Sequence, residues 1–262
     1  MYEHHKQSIE NLVKHFEGDG EIISVILAGS IAHKLERPDS DVDAIVVVTE
    51  KRYAEREKAN SLTECIYGEC TYEGGYFDIK YCTVEYLKAA AEYGSEPSRH
   101  AMLDAYCLFS RDDRIPALVA QIPVFQKQEK DEKMLSFFSA FMLSVGYFWA
   151  MSGDNLYLRY RAATDIVLFG LRMILEENEI LFPCHKALVA TVAAMEKETG
   201  AVLEKCDAFL RTMTDEAKNE FVAAVLAFLD FERPSDHAKI LTAYTADNEL
   251  WWYKTRPVIA EW

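Results

Sequence analysis

The apolar positions of this chain follow two different periods. Up to about residue 125, short runs that are continuously apolar or alternate in period two are separated by helical stretches; beyond it the spacing is helical throughout. Ile9, Leu12, Val13 and Phe16 predict an amphipathic helix over residues 6 to 16, ended by Gly18-Asp19-Gly20. Ile22 to Ala28 is an unbroken apolar run of the kind a buried strand shows, and it stops at Gly29. Ser30 to Leu35 has room for a short helix before Pro38, and Asp41 to Val48 predicts a second strand. Lys51 to Lys58 reads as a solvated helix, and Cys65–Tyr67 with Tyr76–Cys82 as two strands around Gly74-Gly75. Thr83 is placed to cap a helix through Tyr93, another helix opens at Ser95, and Ala105 to Phe109 is a further strand.

Pro116, Pro123 and the polar run Gln126 to Lys133 mark a boundary near residue 125. After it, Met134, Phe138, Phe141, Val145 and Trp149 form one helical stripe, and Tyr160, Ala163, Val167, Leu171 and Ile174 a second. Arg161, Asp165 and Arg172 line up beside the second stripe as an ion-pair ladder or an acceptor wall, the ladder being favoured. Another helix is expected to start at Leu181–Lys186, with more over 187–198, 202–212, 215–230 and 236–246. Trp251-Trp252-Tyr253-Lys254 is too aromatic to be left in water and is expected to dock. The pattern predicts an α+β N-terminal domain over residues 1–125, with a mixed sheet and flanking helices, followed by an all-α helical bundle over 126–262.

The chemistry concentrates between Ile22 and Thr49. A glycine after a buried strand lets backbone approach a ligand closely, and Gly29-Ser30 at the start of a short helix offers N–H groups to phosphate oxygens. Side chains alternate along a strand, so Asp41 and Asp43 project from one face and Val42 and Ala44 from the other. Two neighbouring carboxylates aimed the same way repel each other unless a cation lies between them, and oxygen donors of this type suit magnesium. Asp-x-Asp alone is cheap, since Asp39-Ser40-Asp41 is a second match. The conjunction of buried strand, Gly-Ser turn, Pro-bearing loop, Ser40-Asp41-Val42-Asp43 and buried strand carries the reading.

Gly29-Ser30, ten residues, then Asp41-Val42-Asp43 and an apolar strand resembles the nucleotidyltransferase superfamily that shares the DNA polymerase β palm, closest to its minimal, aminoglycoside- and lincosamide-type branch. The resemblance implies a palm-like domain that binds a magnesium nucleoside triphosphate, ATP being the expected one, in a two-metal site. It implies transfer of the nucleotidyl group to a hydroxyl with release of pyrophosphate. It also implies a third carboxylate on a neighbouring strand, for which Asp78 is the acid available, as metal ligand or as base for the acceptor proton. Catalytic and metal-binding roles thus fall to Asp41, Asp43 and Asp78, and nucleotide binding to Gly29, Ser30 and Ser40. A small-molecule acceptor is the first reading. A protein acceptor of the antitoxin type and a retired triphosphate-binding module are the alternatives. The helical half also resembles toxins that partner such antitoxins, whose ribonuclease motif is Arg, four to six residues, then His; Arg233 and His237 have three between, which argues against that activity.

Composition sets the outer limits. A net charge of -15 argues against nucleic acid or an anionic membrane as the main partner. The six cysteines show no Cys-x-x-Cys and no zinc spacing, so they read as reduced thiols in a reducing compartment, and a cytoplasmic location is expected. The polar start lacks a signal-peptide pattern, and Phe137 to Met151 is read as a core helix shorter than a bilayer span. His4, His5 and His15 are expected to be exposed, without ligand roles. A homodimer is compatible with these features.

Overall fold

The structure is a computed structural model that describes residues 1–254 and 257–262. The chain divides into two compact units, Met1–Gly94 with Ser98–Val124, and Ser95–Pro97 with Phe125–Trp262.

The first unit is an α+β domain. Helix α1 (Glu3–Glu17) leads into β1 (Ile22–Leu27), α2 (Gly29–Ala32), β2 (Val42–Val48), α3 (Glu50–Lys58), β3 (Thr63–Tyr67) and β4 (Tyr76–Cys82). Then come α4 (Val84–Tyr93), α5 (Glu96–His100), whose first two residues are counted with the second unit, β5 (Tyr106–Ser110) and α6 (Ile115–Gln121). The five strands form one mixed sheet in the order β3-β4-β2-β1-β5, antiparallel except for the β2–β4 pair. The excursion through α3 and β3 is what allows β4 to return parallel to β2.

Alternation along these strands sends two sets of side chains to opposite faces. One face packs Val25 and Leu27 of β1, Val46 of β2 and Phe77 and Ile79 of β4 beneath Leu12 and Phe16 of α1. Burial of each such side chain contributes about 1.5–3 kcal/mol. The opposite face is divided. Val47 and Cys82, toward the ends of β2 and β4, are covered by Leu87 of α4 and Val119 of α6. The starts of the same two strands carry Asp43 and Asp78 instead. Thr83 does cap α4, its hydroxyl accepting from Tyr86 N at 3.2 Å.

The second unit consists of helices. It contains α7 (Lys130–Leu143), a π-helical turn (Ser144–Phe148), α8 (Trp149–Ser152) and the 22-residue α9 (Leu156–Glu177). They are followed by α10 (Leu188–Ala193), α11 (Gly200–Thr212), α12 (Asp215–Phe228), α13 (His237–Tyr244) and a second π-helical turn (Thr245–Glu249). From Ile166 to Glu176 every residue of α9 is buried, so this helix is the axis of the unit and not a one-sided amphipathic helix. The helical stretch 127–152 is 26 residues long and apolar enough by composition to cross a bilayer, longer than the expected core segment; half of its apolar window is buried within the chain.

Several expectations need correction. Arg172 is not part of a surface ladder with Arg161 and Asp165. Arg161 does bond Asp165 at 2.7 Å, but Arg172 is fully buried and reaches Glu96 at 3.2 Å. Residues 181–186 form no helix: 181–184 have no regular structure and 185–187 are a turn, with Phe182 N donating to Glu96 Oε2 at 2.8 Å instead of to a helical carbonyl. The following helix ends at Ala193 instead of 198. Trp251, Trp252 and Tyr253 remain exposed, the last at 81%, while Trp262 is the aromatic residue that docks. His5 is buried, not exposed; it packs against Tyr2, His4 and Tyr72.

Candidate metal and nucleotide site

The β2–β4 register decides the geometry. Asp43 pairs directly with Asp78 across the parallel strands, and both side chains leave the sheet on the same face. Asp41 stands one residue before β2 begins, at the end of the loop that starts after α2. One carboxylate oxygen from each of Asp41, Asp43 and Asp78 lies within 4.8 Å of the other two, and all three side chains are half-buried. At that separation each like-charged pair repels by roughly 3 kcal/mol in a surface-like dielectric. A divalent cation relieves all three repulsions at once. Three carboxylate oxygens with solvent access form the donor set that a hard cation such as magnesium takes, so the residues present fit such an ion.

Gly29 makes this convergence sterically feasible. Its φ is +65°, a region that L side chains rarely adopt, and an added β-carbon would lie 1.9 Å from Asp43 Oδ2. The backbone is held by a bond from Ala28 N to Asp43 O at 3.1 Å, so β1 and β2 stay paired up to the turn. Ser30 follows in the turn, half-buried, with its carbonyl accepting from Leu35 N at 2.9 Å.

The loop that presents Asp41 is tied down on several sides. Ser40 is buried, and its hydroxyl accepts from Arg37 N at 2.9 Å, closing a tight turn. The Tyr72 hydroxyl donates to Ser40 O at 2.5 Å, and a His4 ring nitrogen meets Pro38 O at 3.0 Å. Tyr76, two residues before Asp78 on the same strand face, hydrogen-bonds Asp41, and that carboxylate pushes its phenol up to about 12. Tyr72, Tyr76 and His4 thus hold the loop that carries Asp41. Their only signal in the sequence was aromatic content near the motif.

A cavity of about 140 Å³ opens beside the carboxylates, walled by Gly29, His33, Asp43, Asp78, Lys80 and Ala101 among others. It is smaller than the 300 Å³ or more of a typical small-molecule pocket, a size suited to phosphate oxygens and not to a whole nucleotide. Lys80 projects from the same face of β4 and lies 3.7 Å from Asp78, and His33 meets Asp104 at 3.4 Å. Arg99 is not on this wall. It is buried and donates to the carbonyls of Ala91, Gly94 and Ile122, a structural role.

Residues 7–88 match the family described as nucleotidyltransferase domain. The span runs from α1 into α4 and contains every residue of the carboxylate cluster. Among solved structures, the chain is similar to a nucleotidyltransferase-like protein from Exiguobacterium sibiricum 255-15, at 11% identity and a TM-score of 0.45, over 97% of this chain and 81% of that one. No curated protein sequence matches the chain. The family match thus lies wholly within the α+β unit, and a helical region follows it.

Proposed function

We propose that the protein is a magnesium-dependent nucleotidyltransferase that moves a nucleoside monophosphate, from ATP in the first instance, to a hydroxyl of a small molecule. The convergence of Asp41, Asp43 and Asp78 within 4.8 Å carries this reading. Asp41 and Asp43 would hold the metal, with Asp78 completing the set for a two-metal arrangement. When bound, magnesium supplies neutralisation of the phosphate oxygens.

The chain's own residues account for the remaining steps. Gly29 gives the phosphates close access to backbone, and Ser30 follows it on the same turn. Lys80 and His33 are the basic side chains on the cavity wall and offer partners to the phosphate oxygens. Ser40 acts through its loop, fixing where Asp41 stands. The acceptor oxygen bonds to the α-phosphorus as the bond from that phosphorus to the bridging oxygen breaks. Pyrophosphate leaves with the bonding pair, and the acceptor proton passes to Asp78. Six free cysteines and the absence of a disulfide among the described residues fit a cytoplasmic setting.

The test is transfer of label from four α-labelled triphosphates to a library of hydroxyl-bearing metabolites, aminoglycosides and lincosamides, with a cell lysate in parallel. Magnesium-dependent label on a small molecule, lost by about 10²-fold or more in Asp43→Asn, is the expected result. Label on a protein of the lysate alone would reassign the acceptor class, and turnover unchanged in Asp43→Asn would refute the site.

A further inference from the structure

The helical unit has a pocket of its own, and it lies where the helical geometry is unusual. π-Helical turns are rare and frequently mark functional sites. In the turn Ser144–Phe148, Trp149 N bonds Ser144 O; in Thr245–Glu249, Leu250 N bonds Thr245 O at 3.0 Å. Both turns form the wall of one pocket of about 540 Å³, within the range of small-molecule sites. An extra residue per turn widens a helix locally and displaces the side chains it carries. Here the two turns bring Tyr147 and Phe148 to one side of the pocket and Glu249 to the other.

The lining is mainly aromatic and aliphatic. Tyr147, Phe148 and Tyr244 form a run of rings with centroids 5.3 Å and 6.1 Å apart, and Leu143 and Leu241 add aliphatic surface. Besides the tyrosines, two titratable side chains stand at the wall, the exposed Glu249 carboxylate and the exposed His237 imidazole, and no lysine or arginine is among the described residues that line the pocket. Burial pushes the Tyr244 phenol up, Glu249 and Asp165 push it the same way and Arg161 the other, so the second carboxylate near the rings is already paired with a guanidinium and Glu249 is the carboxylate left to a ligand. Aromatic faces and a carboxylate both attract positive charge, and the chain's net charge of -15 favours a cation and opposes an anion.

We propose that this pocket binds an amphipathic organic cation, with its apolar body between Leu143, Leu241 and the ring run and its ammonium group against the ring faces and Glu249. The proposal stands apart from the nucleotidyl-transfer reading and needs none of the residues assigned to it.

Isothermal titration of the full chain with benzyltrimethylammonium, benzyl alcohol and benzoate tests it. The cation should bind saturably, about fivefold tighter than benzyl alcohol, and benzoate more weakly than either. Glu249→Gln, at an exposed position, should remove most of the cation's advantage while leaving benzyl alcohol binding as it was. Leu241→Trp, at a residue 42% exposed, should fill the pocket and abolish binding of both, with the melting curve unchanged. The proposal is overturned if the cation fails to saturate, if it shows no preference over benzyl alcohol, or if both variants bind as wild type does.

Discussion

Gly29 and Asp43 are in such close contact that no side chain of any size fits between them: a β-carbon on Gly29 would lie 1.9 Å from Oδ2 and 2.5 Å from Cγ of Asp43. The turn after β1 and the carboxylate on β2 are thus one device, and the glycine is there for the space it leaves as much as for its φ of +65°. Gly29→Ala should cost about 1–2 kcal/mol of stability for the left-handed backbone alone. Displacing Asp43 by an ångström should lower nucleotide transfer by about 10²-fold. Denaturant unfolding and an initial-rate assay on the purified variant check both numbers; full activity would mean that Asp43 tolerates displacement.

Tyr76 reports on Asp41. The hydrogen bond and the negative charge of that carboxylate hold the phenol neutral up to about 12, above its ordinary 10. Asp41→Asn removes the charge, so the phenol should titrate closer to its ordinary value. A pH titration of carbon-13-labelled tyrosine, with Tyr76→Phe to assign the resonance, measures the shift. No change between wild type and Asp41→Asn would show that the two side chains do not meet in solution.

Glu176 gives the helical unit a pH dependence of definite sign. Burial, together with the neighbouring Glu96 carboxylate, pushes Glu176 up to about 9 from the ordinary 4.5. Between those values the folded state keeps a proton that the unfolded chain has released, so stability falls as pH rises through that window. Glu176→Gln stays neutral in both states and should lose that slope. By pH 8 it should be the more stable form by about 1–3 kcal/mol. Urea unfolding at pH 5.5 and pH 8, followed through the helical signal, distinguishes the two slopes.

Arg172 is the partner that makes this acidic pair tolerable. Its guanidinium is completely buried, bonds Glu96 at 3.2 Å and Ala260 O at 2.7 Å, and stacks within 4.4 Å of both Phe137 and Phe182. Lys133 approaches Glu96 at 3.0 Å from the other side. Arg172→Met leaves buried carboxylates undercompensated and should destabilise the unit by about 3–5 kcal/mol. Adding Glu96→Gln should recover part of that loss, and a double-mutant cycle in urea measures how much.

What the sequence revealed, and what it concealed, follows from the range of the interactions involved. The strand-turn-strand around Gly29 was legible because period two is a local property of the backbone; the strand was expected to begin at Asp41 but begins at Val42, so Asp41 meets Asp43 through the loop before β2 and not through strand alternation. The α+β sheet followed by helices was legible for the same reason, since the change of period is written residue by residue. Helix α6 was missed because Pro116 and Pro123 bracket it and read as a linker, although proline is tolerated in the first turn of a helix.

Environment was harder to read than periodicity. Arg172 looked like surface because it is charged, and only the burial of α9 on every side shows otherwise. His5 looked like surface because nothing nearby in sequence covers it; its cover is Tyr72, 67 residues away, together with Tyr2 and His4. The supports of the Asp41 loop, Tyr72 and Tyr76, became visible only when strand pairing brought β4 alongside β2. The same pairing sets Asp78 opposite Asp43.

If Asp41, Asp43 and Asp78 act together as one divalent-cation site for a triphosphate, as proposed, each of them is needed to hold the ion. Manganese, as a spectroscopic substitute for magnesium, can be titrated by paramagnetic resonance with a non-hydrolysable ATP analogue present, on wild type and on Asp41→Asn, Asp43→Asn and Asp78→Asn. Wild type should bind saturably and each variant at least about tenfold more weakly, with unfolding curves that overlay, because each carboxylate supplies one part of the same site. Equal binding by wild type and all three variants would contradict that proposal.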